Sequence, residues 1–314
     1  MRVVYFGSGE FGLPTFRRLA EAHEIVLVVT QPDRPAGRRR TLTPTSIGKL
    51  AASLGIPTLK PPYPNEPDII RQVHAVKPEA FVVIAYGHKL GRELLGEHFA
   101  MNLHASLLPK YRGAAPINWA VINGEKQTGL TIITLAQKMD AGAILSSRVT
   151  AIDAMETAGE LHDRLAEMGP DLVLETLSRH ARGMLQPMGQ DESSATRAPK
   201  LTKTDGTVRF DQPSHAVRCR VHGLTPWPGC TVQLAEQPLK LLRVDVVGED
   251  REEYPTGMPG EILADRSVAC EEGAIRLLSV QPPGGKAMSF DAYCNGHAVK
   301  AGARLRELRP SPRE

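Results

Sequence analysis

In residues 102–117, NLHASLLPKYRGAAPI, a carboxamide, an imidazole and a hydroxyl stand at every second position as Asn102, His104 and Ser106. Side chains at i, i+2 and i+4 of an extended chain share one face, so the three converge if the segment leaves a strand. Such a set offers a neutral hydrogen-bond donor, a group that exchanges protons near neutral pH, and a hydroxyl. Pro109, Lys110, Arg112, Gly113 and Pro116 follow, which is loop chemistry able to hold a ligand against that polar face. The same pattern also describes a strand end whose polar residues are simply solvated. A carboxylate, Asp140, sits in the loop Lys138-Met139-Asp140-Ala141-Gly142, where a turn aspartate bonded to its own backbone is the bland alternative.

The elements that must position these groups are legible in the apolar periodicity. Residues 3–6 form an apolar run stopped by Gly7, and Phe16, Leu19 and Ala20 give residues 14–22 a helical stripe. Strand patterns recur at 25–30, at 80–85 (AFVVIA) and at 130–135, with helical patterns at 43–54, 67–76 and 115–123. A longer helical pattern covers 156–182, which Gly169-Pro170 is expected to interrupt or kink. Alternating strands and helices predict a doubly wound, Rossmann-like α/β domain. Ligands of such sheets bind beyond the carboxyl ends of the strands, where Tyr86, Gly87, His88 and residues 102–104 fall. Gly7-Ser8-Gly9-Glu10-Phe11-Gly12 fits GxGxxG with Asp33 downstream, which taken alone suggests NAD. Asp33, however, lies in a loop between Pro32 and Pro35 beside a basic run, not cleanly at a strand end.

That loop, residues 31–40, carries Arg34, Arg38, Arg39 and Arg40, and its prolines and glycine predict irregular structure. Guanidinium groups suit bidentate phosphate pairing and stacking on unpaired bases, although a solvated charge run reads the same way. Near Pro187 the composition shifts to small and polar residues, placing a linker at 187–206 between domains at 1–186 and 207–314. Beyond it, a helix at 213–221 and short strands near 208–210, 231–234, 239–247, 260–263 and 275–280 suggest a smaller C-terminal β-barrel.

The 314 residues carry 23% charged residues and a net charge of +3, an ordinary globular balance that implies no whole-molecule field for nucleic acid. The four cysteines, Cys219, Cys230, Cys270 and Cys294, are dispersed without a CxxC pair, which argues against both a zinc site and a disulfide framework. No apolar run approaches a membrane span, and a cytoplasmic protein is expected.

Asn102-x-His104-x-Ser106, Leu107-Leu108-Pro109 and Tyr111-Arg112-Gly113, with Gly129-x-Thr131 and Asp140-Ala-Gly142, resemble the signature of the 10-formyltetrahydrofolate-dependent formyltransferases. The resemblance runs from Met1 to about residue 300 and is closest to members acting on an initiator methionyl-tRNA. It implies catalytic roles for Asn102, His104 and Asp140, a folate-binding segment at Ser106, Leu107, Leu108 and Pro109, and no metal. It also implies that the glycine turn binds no dinucleotide and that the arginine loop meets the tRNA acceptor arm. The C-terminal barrel is implied to be oligonucleotide-binding-like. Independently of the resemblance, Lys200 and Lys203 open a set of C-terminal cations able to line one side and hold tRNA phosphates, although scattered surface charges read the same way. His222 stands where the resemblance implies an arginine, and a monomer is expected. Two other readings stay open: a formyltransferase acting on an amino-sugar nucleotide, and an RNA-binding protein that keeps the fold without catalysis.

Overall fold

Runs that are apolar at successive positions become strands covered on both faces. The computed structural model describes residues 1–37, 40–248 and 257–308. Its larger sheet comprises β1 (Arg2–Gly7), β2 (Glu24–Val29), β3 (Thr58–Leu59), β4 (Ala80–Ile84), β5 (Phe99–His104), β6 (Gln127–Thr134) and β7 (Ile144–Ala151). The strand order is β7-β6-β5-β4-β1-β2-β3. Neighbours from β5 to β3 run parallel, and β6 lies antiparallel to β5. The chain winds outward from β1 to β3 and then returns to the other side of β1 as β4. Strand order therefore reverses between β1 and β4, which is where a crevice opens at the carboxyl ends of a doubly wound sheet.

The longer helices are α1 (Leu13–Ala22), α2 (Ser46–Ser53), α3 (Pro67–Ala75), α4 (Pro116–Ile122), α5 (Ala158–Ala181), α6 (Ser214–Gly223) and α7 (Phe290–His297). Phe16 of α1 packs edge-on to Tyr5 of β1 with centroids 4.9 Å apart. Val73 of α3 joins Val4, Phe6, Leu27, Val29, Phe81 and Val83 in a buried cluster.

Two segments of this unit depart from the sequence expectation. The arginine loop is not wholly irregular, because Arg34–Ala36 pairs antiparallel with Thr41–Thr43. Gly37, at φ 68°, takes a left-handed conformation in the connection. A proline is tolerated in such a two-stranded ribbon because an edge leaves its missing donor without consequence. Second, α5 continues unbroken through Pro170. Gly169 explains the tolerance: a Cβ there would lie 2.7 Å from Thr15 Oγ1 and 3.1 Å from a Leu103 methyl. Packing against these neighbours, with Leu165, Leu172, Val173 and Leu177 buried, holds the helix across the lost backbone bond.

The chain forms two units, with Met1–Ala114, Gly129–Thr150 and His162–Arg197 in the first and Ala115–Thr128, Ala151–Leu161 and Ala198–Glu314 in the second. Residues 187–206, expected as a linker, divide between them at Arg197.

In the second unit, β8 (Cys230–Leu234), β9 (Gln237–Val247), β10 (Ser267–Ala269), β11 (Ala274–Gln281), β12 (Met288–Ser289) and β13 (Leu305–Glu307) form an antiparallel sheet. Its order is β10-β11-β9-β8-β13, with β12 on β11. The sheet curls. Gly260 N donates to Ala269 O at 2.8 Å beside β10, and Gly260 O accepts from Leu305 N of β13 at 2.8 Å, so this segment joins the two edges. Residues 260–263 make only isolated bridges there, not the strand expected from sequence. Residues 208–210 are not a strand either; Val208 and Phe210 lie outside the sheet and insert into its core. Among the described residues no helix is long and apolar enough to cross a membrane.

Candidate active site

β5 delivers Asn102 and His104 to the carboxyl edge of the first unit's sheet, with His104 opposite Thr131 of β6. The imidazole is buried, and its Nε2 lies 2.9 Å from the carbonyl oxygen of Tyr111. A carbonyl only accepts, so Nε2 carries the proton and Nδ1 of the neutral ring is the free base. Asp140 Oδ2 is 3.8 Å from Nδ1, with the two side chains 7% and 14% exposed, a pair largely withdrawn from water. The same oxygen accepts from Gly113 N at 2.9 Å. Asn102 is half-buried, and its carboxamide makes no hydrogen bond among the described residues. The structure therefore brings His104 and Asp140 together two positions beyond Asn102.

The turn after β5 is tied from within. Ser106 is fully buried and donates its hydroxyl hydrogen to Lys110 O at 2.7 Å. Thr131 Oγ1 donates to Ser106 O at 2.7 Å and accepts from Leu108 N at 3.1 Å. Tyr111, in a left-handed conformation at φ 63°, donates its amide to Thr196 Oγ1 at 2.8 Å. Of the four residues expected to bind folate, Leu107 and Pro109 keep partly exposed surface, whereas Ser106 and Leu108 are buried. Gly129 permits this packing, since a Cβ there would meet Arg148 O at 2.1 Å and a Leu107 methyl at 2.7 Å.

Asp140 is itself held in the left-handed region, at φ 54°. Gly142 must be glycine, because a Cβ would fall 1.7 Å from Thr134 O. Beneath the loop, Gln190 Nε2 donates to Asp140 O and to Gly142 O, each at 2.7 Å. Gln190 Oε1 accepts from Arg112 Nε at 3.0 Å and Nη2 at 2.8 Å. Arg112 also donates to Glu192 at 2.7 Å, and Lys138 pairs with the other carboxylate oxygen of Glu192. Hydrogen bonds from Arg112 and Lys138 hold the Glu192 carboxyl well below its usual range, at about 2. Sequence reasoning missed Gln190 and Glu192, which sit in the polar stretch expected to be a linker. No local pattern joins them to Arg112; only the bare run Gln190-Asp191-Glu192 signalled polar chemistry there.

Arg34 is exposed and donates to Gln31 Oε1 at 2.9 Å, and Gln31 donates to Tyr86 O at 2.8 Å. Arg40 is exposed, while Arg38 and Arg39 lie outside the described residues. Lys200 and Lys203 are exposed in the second unit. Tyr86 belongs to the core: its hydroxyl is buried without a partner among the described residues, and burial pushes it up to about 12. In the glycine turn, the amides of Ser8 and Gly9 point at Ala85 O, at 3.2 and 3.4 Å, so they are engaged within the protein. Gly12 is required by Tyr5, whose hydroxyl would lie 2.2 Å from a Cβ there. His222 is buried in the second unit, with Nε2 accepting from Val244 N at 3.2 Å and Nδ1 3.3 Å from Ala154 O.

A formyl transferase family model matches residues 1–177, and a model of the formyl transferase C-terminal domain matches residues 200–298. The chain is 38% identical over 313 residues to a methionyl-tRNA formyltransferase of Caldanaerobacter subterraneus subsp. tengcongensis, covering 98% of this chain and 100% of that one. It is 41% identical over 320 residues to a methionyl-tRNA formyltransferase of Heliobacterium modesticaldum, covering 97% and 100%. Among solved structures, an N-formyltransferase from Helicobacter canadensis in complex with folinic acid and dTDP-3-aminofucose superposes with a TM-score of 0.68 at 14% identity, over 88% of this chain and 98% of that chain. HypX from Aquifex aeolicus in complex with tetrahydrofolic acid gives a TM-score of 0.62 at 18% identity over 96% of this chain. The chain spans about half of HypX, 48% of its length.

Proposed function

The chain belongs to the formyl transferase family, and from that premise we propose that it transfers a formyl group from 10-formyltetrahydrofolate to the α-amino group of an initiator methionyl-tRNA. The observation that carries the chemistry is the single free ring nitrogen of His104, facing Asp140 while the other nitrogen is tied to a backbone carbonyl. The choice of a tRNA acceptor is supported by relatives of that name aligned over nearly the whole chain.

The residues divide the work by their chemistry. Attack of the amine on the formyl carbon forms a C–N bond and places negative charge on the formyl oxygen. Asn102, whose carboxamide has no internal partner among the described residues, donates to that oxygen as the charge develops. His104 Nδ1 takes the proton that the amine must lose and returns it to the folate nitrogen as the old C–N bond breaks. The Asp140 carboxylate stabilises the imidazolium formed between these transfers, since a nearby opposite charge favours the charged form. Leu107 and Pro109 give the folate an apolar surface, and Ser106 shapes the turn that presents them. Arg34, Arg38, Arg39 and Arg40, with Lys200 and Lys203, take the tRNA backbone.

Formyl transfer from 10-formyltetrahydrofolate is measured to charged initiator tRNA beside amino-sugar nucleotides. Turnover with methionyl-tRNA is expected. Turnover with only an amino sugar replaces the reading by the sugar-nucleotide alternative, and tRNA binding without turnover on either acceptor replaces it by a binding protein.

A further inference from the structure

We propose that Gln190 is the positioning residue of this site, holding Asp140 against His104 by gripping the backbone on both sides of Ala141. The proposal rests on the role given to Asp140 in formyl transfer. It starts from the bonding capacity of a carboxamide, which has two N–H donors and an oxygen with two acceptor sites. All four are filled here. Both donors meet carbonyls, Asp140 O and Gly142 O, and the oxygen meets two guanidinium donors of Arg112. Since carbonyls only accept and guanidinium only donates, a flipped amide would satisfy none of the four, so the orientation is fixed by its partners.

Asp140 needs such a grip. A non-glycine residue at φ 54° sits in a sparsely populated region and persists only where its surroundings dictate it. Its carboxylate has one short bond, to Gly113 N, and stands 3.8 Å from His104 Nδ1, so a small rotation of the loop removes it from the ring. Gln190 draws on an anchor to resist that rotation: Arg112 is 7% exposed, too buried to swing away, and is fixed in turn by Glu192. The three segments carrying Arg112, Asp140 and Gln190 all belong to the first unit.

Two substitutions separate a grip on the loop from simple support of Arg112. Gln190→Glu keeps an acceptor for Arg112 but replaces both donors with lone pairs facing the two carbonyls. Gln190→Met keeps the length and removes both halves. Single-turnover formyl transfer to methionyl-tRNA should fall by about tenfold to a hundredfold in both variants, the scale on which displacement of reacting groups acts. Binding of folinic acid should stay within about twofold, because no folate contact is assigned to Gln190. Hydrogen exchange of backbone amides in residues 138–143 should accelerate in both. If Gln190→Glu restores the rate while Gln190→Met loses it, Gln190 serves only Arg112 and the proposal is overturned. If wild-type protein shows no formyl transfer, the functional reading falls separately. The grip is then judged by exchange alone, where unchanged protection of residues 138–143 in Gln190→Met overturns it and acceleration supports it.

Discussion

His104 makes one hydrogen bond that sets its tautomer, and the group that accepts it is a peptide carbonyl. Replacing His104 with Ala should therefore leave the turn at Tyr111 intact while removing the proton carrier. Single-turnover formyl transfer is expected to drop at least about a hundredfold, the usual scale for losing an acid–base group. Circular dichroism and folinic acid binding should be close to wild type, and a near-normal rate would take His104 out of the mechanism. Thr131 illustrates a residue that acts by holding others. Its hydroxyl is shared between Ser106 O and Leu108 N in a site with no exposure. Thr131→Val preserves shape but orphans the Leu108 amide, and a loss of about 1 to 3 kcal/mol in urea unfolding is expected. A variant as stable as wild type would mean that the amide finds another partner.

Among the elements, β1 and β4 were legible because a strand buried on both faces must be apolar at every position, and so were the helices whose stripes face the sheet. What failed did so for identifiable reasons. The rule that proline breaks helices is local, and α5 overrides it with the close approach that Gly169 permits. Val208 and Phe210 alternate like a strand, yet they enter the barrel core without joining its ladder. Asn102, His104 and Asp140 could be singled out from their types, spacing and resemblance, whereas Gln190 was hidden because its partners come from distant stretches of chain. His222 acts between elements too, since it links α6 to β9 and to Ala154. Burial, then the nearby charges of Arg243 and Arg218, push its imidazole down to about 4 from an ordinary 6.5. Above pH 6.5 folded and unfolded chains both carry it neutral; as pH falls towards 4 only the unfolded chain takes up the proton. Stability should decline across that window by on the order of 3 kcal/mol from this group. Urea titrations at pH 7 and 4.5 should show a smaller acid loss in His222→Gln than in wild type. Equal losses would mean that His222 is not the group responsible.

For the whole molecule, a net charge of +3 leaves tRNA attraction to local clusters of cations. Replacing Arg38, Arg39 and Arg40 with Ala should weaken tRNA binding and flatten its dependence on salt by roughly 0.7 to 0.9 for each phosphate that is no longer neutralised. Folinic acid binding should be unaffected, because those residues have no assigned role at the folate. An unchanged salt slope, measured by filter binding across potassium chloride concentrations, would reduce the cluster to a solvated charge run.

The two units are interleaved along the chain, with Ala115–Thr128 and Ala151–Leu161 assigned to the second although first-unit segments flank them. Trp119 and Ile122 of α4 pack against the core of the barrel unit, so a fragment ending in residues 187–206 would carry them without that core. Recombination at a single junction thus cannot exchange one unit for a foreign counterpart intact. A hybrid would have to inherit α4 and the 151–161 stretch together with the barrel, or be repaired at their contacts afterwards.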